Sequence, residues 1–439
     1  MYKVQRLETY KPIENIFSLY KFEQDVSILE SSLQNKLGKY SIIGRSPYHK
    51  IVKTKDGVYI NGEKRAVDFK GYVKEYFSMH YLHNRTNLPI TSGAVGYFSY
   101  DYERNKNGKI PESILIFYDE FIIEDHQDKA IYLVANGKNK VPDLAIKNLE
   151  NDIENVCIDD GELCVKKSPN IDYNFKKEAY LNSIRKMINY IIEGDIYIAN
   201  MTQQLFITSE VKPYELYTTL RKNNPSPFGA YLNYEGFQVV CASPERFIQV
   251  RNNKIVTRPI KGTRKRGVTV EEDLQMIEEL SNSEKDKSEL LMIVDLERND
   301  LSKICKPGSV VVEDLYGIES YATVHHLVAE VSGVLQDNID MIDMIQATFP
   351  GGSITGAPKI RAMEIIEELE NGNRGLYTGS IGYCSLNGDC DMNIVIRTAV
   401  YQDSIYSLGV GGGITSESKT LSEYEETLQK AKAFVDALS

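Results

Sequence analysis

The first third of the chain runs in short alternating stretches of apolar and polar residues: Tyr40–Ile43, His49–Val52, Gly93–Phe98, Ile114–Phe117 and Ala130–Val134, parted by turn dipeptides such as Asp56-Gly57 and Asn61-Gly62. Period-two alternation between such turns predicts a meandering antiparallel sheet with a few helices. The spacing changes at Phe175. Leu181, Ile184, Ile188 and Ile191 fall on one helical face, Lys177, Glu178, Arg185 and Lys186 are left for solvent, and Gly194 stops the helix. Strands are predicted over Ile196–Ile207, Phe237–Arg246 and Lys254–Ile260, then acidic helices over 270–281 and 284–297, a helix Lys359–Leu369, and a tail helix Ser422–Leu438 entered through Gly411-Gly412-Gly413. Strands and helices mix without a βαβ beat. The expected class is therefore α+β, with antiparallel sheets and helices packed outside them.

The polar stretch from Asn151 to Asn170, which carries Asp159-Asp160-Gly161 and Ser168-Pro169, ends the alternating pattern and precedes the helical one. It divides the chain into a β-rich region, residues 1–168, and a second unit, residues 169–439.

Composition narrows the function. The 439 residues are 42% hydrophobic and 26% charged, with a net charge of −11. That balance opposes a nucleic-acid-binding body, which needs a dense Lys/Arg face, and points to a small substrate. No run of 18 apolar residues occurs; the best, Leu290 to Leu296, is broken by Asp295. The N-terminus lacks the apolar core of a signal peptide. Cys157, Cys164, Cys241, Cys305, Cys384 and Cys390 include no CxxC pair and read as reduced core thiols. A cytoplasmic protein is expected.

Candidate chemistry lies in the second unit. Gly351-Gly352-Ser353-Ile354-Thr355-Gly356-Ala357-Pro358-Lys359 departs from a phosphate loop, because Ala357-Pro358 separates the last glycine from the lysine and Pro358 lacks an amide donor. It reads either as a structural turn or as amides presented to a carboxylate. His80 and His83 have no zinc-site partners, and His325-His326 sits in an apolar segment where core histidines are the default. Glu289 stands among apolar residues and needs a cation or hydrogen-bond partner. Glu423 and Glu426, three apart on the tail helix, share a face with Lys430; the spacing fits oxygen ligands for Mg²⁺ and equally fits ordinary ion pairs. Lys261 lies among like charges in Arg258-Pro259-Ile260-Lys261-Gly262-Thr263-Arg264-Lys265-Arg266, as suits an amine nucleophile, a solvated basic loop or a carboxylate clamp.

Several strings in order over residues 172–439 resemble the chorismate-utilising enzymes, which include anthranilate, aminodeoxychorismate, isochorismate and salicylate synthases. They are Gly194-Asp195-Ile196-Tyr197 with Gln203, SPERF at 243–247, PIKGT at 259–263, EKDKSELLMIVDLERNDL at 284–301, HHLVAEVSG at 325–333, GGSITGAPKIRAMEII at 351–366, YTGSIGY at 377–383, NIVIR at 393–397 and GVGGGIT at 409–415. LESS at 29–32 and KYSIIG at 39–44 extend the likeness toward the N-terminus and to the component I enzymes that make anthranilate. The resemblance implies the chorismate-utilising fold, with residues 169–439 as the catalytic domain. It implies Glu289 and Glu426 as Mg²⁺ ligands with Glu423 beside them. Gly262, Thr263, Ser353, Tyr377, Arg397, Lys430 and the amides of Gly411, Gly412 and Gly413 would receive the carboxylates and enolpyruvyl group of chorismate. Glu245 is similar to the general acid for the departing C4 hydroxyl, and His326 matches the active-site histidine.

Two positions point to a branch. Water-adding members carry an activating Lys where this chain has Ile198, so ammonia is the expected nucleophile. Lys261 stands where anthranilate synthases and water-adding members usually carry Ala, as in aminodeoxychorismate synthases, and Asn200 agrees. The resemblance thus implies attack of Lys261 at C2, replacement by ammonia at C4, and 4-amino-4-deoxychorismate as product on the way to p-aminobenzoate and folate. Ammonia would come from a separate glutamine amidotransferase subunit. The alternative is anthranilate formation. Ile198-Ala199 and Glu297 depart from the usual residues at their positions.

Overall fold

Every strand pairing among the described residues is antiparallel, and the pairings join the strands into one continuous network. The computed structural model describes residues 2–104, 106–156, 168–321 and 324–439. Cys157, Cys164 and Asp159-Asp160-Gly161 lie outside the described residues; the other four cysteines are buried free thiols. Among those residues no helix is long and apolar enough to cross a membrane.

The alternating stretches form the strands Tyr40–Thr54, Gly93–Phe98, Ser113–Asp125 and Ala130–Ala135. Strands from either side of residue 168 pair with one another: Val26–Glu30 with Phe228–Tyr234, and Gly93–Phe98 with Ser380–Ser385. One core accordingly joins Ile42, Val95 and Ile116 to Leu232, Val239 and Val395, all buried. Each such aliphatic side chain contributes about 1.5–3 kcal/mol when removed from water.

Proline shapes the strands that matter for chemistry. The run Phe237–Arg246, expected as one strand, is two, Phe237–Ser243 and Arg246–Arg251, because Pro244 has no N–H to donate to the ladder. Glu245 sits in the gap. Pro259 likewise ends Lys254–Arg258, and a new strand, Ile260–Lys265, begins after it.

The helices lie where the spacing predicts them. Lys177–Ile192, Val270–Ser281, Glu284–Ser302, Lys359–Leu369 and Thr420–Ala437 are all formed. Thr269 and Ser283 cap two of them, accepting from the N–H groups of Glu272 and Asp286 at 3.2 and 3.3 Å. Leu290 and Val294 seat the helix Glu284–Ser302 in a core with Leu327 and Ile354. Ala431 and Phe434 seat the tail helix against Leu408 and Val410 of the glycine-rich strand Ile405–Ile414.

Candidate active site

Five elements converge around Lys261. Its strand pairs with Val324–Val334 through a bulge, so that Lys261 opposes Leu327 while Thr263 opposes His326. The extra residue is Gly262, with φ of +68°; a Cβ there would stand 2.9 Å from both Asp286 and Leu280 side chains, so only glycine fits. Lys261 Nζ donates to the backbone carbonyl of Ser353 at 3.0 Å. Burial lowers the ammonium's pKa, Lys430 adds to that, and the charges of Glu289, Glu245 and Glu426 oppose it.

Glu245 is 5% exposed. Burial raises its pKa against the pull of Ser353, Lys261, the Ile260 amide and Lys430. The buried Ser353 hydroxyl stands beside it. His326 is also buried. Its Nδ1 lies 3.0 Å from Thr263 Oγ1, while Nε2 is buried without a partner. Burial, aided by Arg397, pushes its pKa down to about 4, so the imidazole is neutral at pH 7.

The strand Ile405–Ile414 forms another wall. A Cβ on Gly413 would lie 3.7 Å from Lys261 Nζ, and one on Gly412 would lie 3.4 Å from Glu423 and 3.6 Å from Glu426 carboxyl oxygens. The carbonyl of Gly411 accepts from Lys430 Nζ at 2.7 Å, and Lys430 also pairs with Glu426 at 2.7 Å. Bare backbone therefore meets charged side chains here, which leaves room beside them for a ligand.

Arg397 carries charge next to His326, at φ of +49°, and its guanidinium makes no hydrogen bond or ion pair among the described residues. Such a group is ready to take a carboxylate bidentately. Tyr377 packs its ring on Gly409, two residues before Gly411, where any Cβ would overlap it at 2.1 Å.

The three acids expected as metal ligands come from two facing helices. Glu289 is raised in pKa by burial and by Asp286 and Glu423, and Glu423 by burial and Glu426; Glu423 accepts from Ser418 at 2.7 Å. Glu426 is held low, burial being outweighed by Lys430, Lys285 and Lys261. Mutual repulsion of facing carboxylates suits a hard cation with oxygen ligands. Among the described residues, however, no three such side chains are grouped tightly enough to enclose a metal.

Sequence reasoning missed the supports. Arg374, 3% exposed, pairs with Glu370 at 2.7 Å and donates to the carbonyls of Ile354 and Asn200, bracing the turn after Ser353 and the strand that faces Gly413. Its i−4 acid was the available signal. His325, beside the site histidine, is wholly buried and bonds Ser320 and Asp273 at 2.8 and 2.9 Å, a structural tie to the helix Val270–Ser281. A cavity of about 480 Å³ lies elsewhere, between the LESS segment and Arg246, Tyr383 and Asp391.

A half-buried amine, a buried acid, a neutral imidazole and an unpaired guanidinium around a glycine strand, on an α+β fold, make a site for a small anionic substrate whose conversion needs a proton donor. The chain belongs to the chorismate binding enzymes, whose family model matches residues 34–436, and is a chorismate-utilising enzyme. It is 37% identical over 421 residues to aminodeoxychorismate synthase component 1 of Bacillus subtilis, covering 91% of this chain and 89% of that one. It is 38% identical over 467 residues to anthranilate synthase component 1 of Aquifex aeolicus, covering 100% and 94%. The crystal structure of anthranilate synthase component I from Streptococcus pneumoniae TIGR4 superposes with a TM-score of 0.82 at 28% identity, over 92% of this chain and 93% of that one.

Proposed function

We propose that the chain aminates chorismate at C4 with ammonia, giving 4-amino-4-deoxychorismate for p-aminobenzoate and folate formation, with Mg²⁺ required and a glutamine amidotransferase subunit as the ammonia source. The observation that carries the reading is Lys261, an amine of lowered pKa whose Nζ hangs from the Ser353 carbonyl, in electrostatic reach of Glu245. In its neutral form Nζ attacks C2, the double bonds shift, and the C4–O bond breaks as Glu245 gives its proton, so water leaves. Ammonia then attacks C4, the double bonds shift back, and the C2–N bond to Lys261 breaks. The nitrogen at C4 loses a proton, and Lys261 is regenerated.

Arg397 and Lys430 hold the substrate's carboxylates, the Gly411 to Gly413 backbone admits them, and neutral His326 lines the site without adding charge. Glu289 and Glu426, with Glu423 beside them, would hold Mg²⁺, which when bound supplies positive charge to a substrate carboxylate. Charge on Arg246 and Asp391 is spent on their own bidentate pair at 2.9 Å rather than on substrate.

A second reading, anthranilate formation, draws on the Aquifex relative, as similar as any aminodeoxychorismate synthase above. Product analysis separates the two. The purified chain with chorismate, Mg²⁺ and an ammonium salt is expected to give a para-amino product that retains the enolpyruvyl group, lost in Lys261→Ala; anthranilate with pyruvate would establish the second reading.

A further inference from the structure

Lys359, the lysine of the glycine string, has no part in the chemistry proposed above and is misplaced in its own helix. It opens the helix Lys359–Leu369, where the positive end of the peptide dipoles disfavours a cation, and no acid stands in that first turn. Its ammonium instead reaches back to the end of the preceding helix, Met341–Thr348, whose last turn holds no basic residue. There Lys359 Nζ donates to the carbonyls of Thr348 at 2.9 Å and Pro350 at 2.8 Å. A cation is favoured at a helix C-terminus, where the last carbonyls have no partner within the helix.

The charge is balanced from a third element. Lys359 pairs with Asp300 of the helix Glu284–Ser302, the two side chains being 14% and 5% exposed, and Asp300 also takes Lys303 at 2.8 Å. Leu296, one turn before Asp300 on the same face, meets Gly352, where a Cβ would approach it to 2.9 Å. Four carbonyls of this turn accept from cationic side chains: Thr348 and Pro350 from Lys359, Ser353 from Lys261 and Ile354 from Arg374. Thr355 Oγ1 closes the turn onto the Gly351 carbonyl at 2.9 Å. Lys359 and Arg374 therefore grip the backbone on either side of the carbonyl that receives Lys261.

We propose that Lys359 is a positioning residue that clamps this turn, so that the Ser353 carbonyl holds the Lys261 amine where it can reach C2 of the substrate. The inference rests on Lys261 being the nucleophile of the reading above. Lys359 acts through the turn and Lys261, and takes no part in the bonds that form and break.

The test compares the intact chain with Lys359→Met, which keeps length and removes the charge, with Lys359→Gln, which keeps a donor, and with Lys261→Ala. Lys359→Met is expected to leave KM for chorismate nearly unchanged and to lower kcat about 10²-fold, the cost of misplacing reacting groups by about 1 Å. Lys359→Gln should fall between it and the wild type. With chorismate and Mg²⁺ but no ammonia, mass spectrometry of the quenched chain should show the adduct on Lys261 forming more slowly by the same factor. A merely structural role would lower the amount of adduct, through the folded fraction, and leave its rate constant alone. A wild-type rate constant in Lys359→Met, or in Lys359→Gln if the Met variant does not fold, overturns the clamp. Full activity in Lys261→Ala, or no adduct in the wild type, overturns the nucleophile reading and the clamp with it, whereas an inactive Lys261→Ala beside wild-type rate constants in the Lys359 variants removes the clamp alone.

Discussion

Lys261 and Ser353 lie 92 positions apart, and the 3.0 Å bond from Nζ to the Ser353 carbonyl fixes the amine where Glu245 and Gly413 also meet. A carbonyl accepts from the neutral amine as well as from the ammonium, so the aim survives deprotonation. Lys261→Arg keeps positive charge but cannot deprotonate. It is expected to bind chorismate and to aminate none of it, measured by calorimetry beside product assay. Retained amination in Lys261→Arg would mean that the residue acts by charge.

Glu245→Gln keeps shape and removes the proton. A loss of about 10²–10⁴-fold in kcat is expected for a general acid, with little change in KM. A change confined to KM would make Glu245 a binding group instead.

Gly412 has an ordinary φ, so Gly412→Ala strains no backbone; its methyl group would instead arrive 3.4 Å from Glu423 and 3.6 Å from Glu426. The expected result is an unchanged melting temperature with a raised KM for chorismate. Wild-type kinetics in this variant would remove the glycine strand from the binding surface.

The neighbours His325 and His326 should separate cleanly. His325→Ala strands the partners of a wholly buried ring, at about 1–3 kcal/mol of stability, while the folded fraction stays active. His326→Ala should do the reverse. The folded-state pKa of His326, about 4, lies below its ordinary 6.5. Between those values the unfolded chain binds the extra proton, so stability present above pH 6.5 is lost as pH falls toward 4. Urea titrations across that window should show a shallower decline in His326→Ala.

Arg374 and Glu370 form a buried pair, their side chains 2% and 6% exposed. Removing one partner leaves the other charge buried, so Arg374→Ala is expected to cost about 3–5 kcal/mol, read from denaturant midpoints. A loss below 1 kcal/mol would class the pair with surface bridges.

The sequence by itself determined the helices, the α+β class and the family, because side-chain periodicity, caps and short ordered strings are local properties. Even the splitting of Phe237–Arg246 was available in Pro244, which cannot donate to a ladder. Which residues meet was decided only in three dimensions. The pairing of Val26–Glu30 with Phe228–Tyr234, and the approach of Ser353 to Lys261, depend on burying apolar faces from distant segments together, a cooperative choice that no window of residues contains. Protonation follows the same rule. Glu245, Glu289, Glu297 and Glu426 are the same acid in the sequence; burial raises the first three against the pull of nearby lysines, Glu297 to about 8, whereas Lys430, Lys285 and Lys261 outweigh burial and hold Glu426 low.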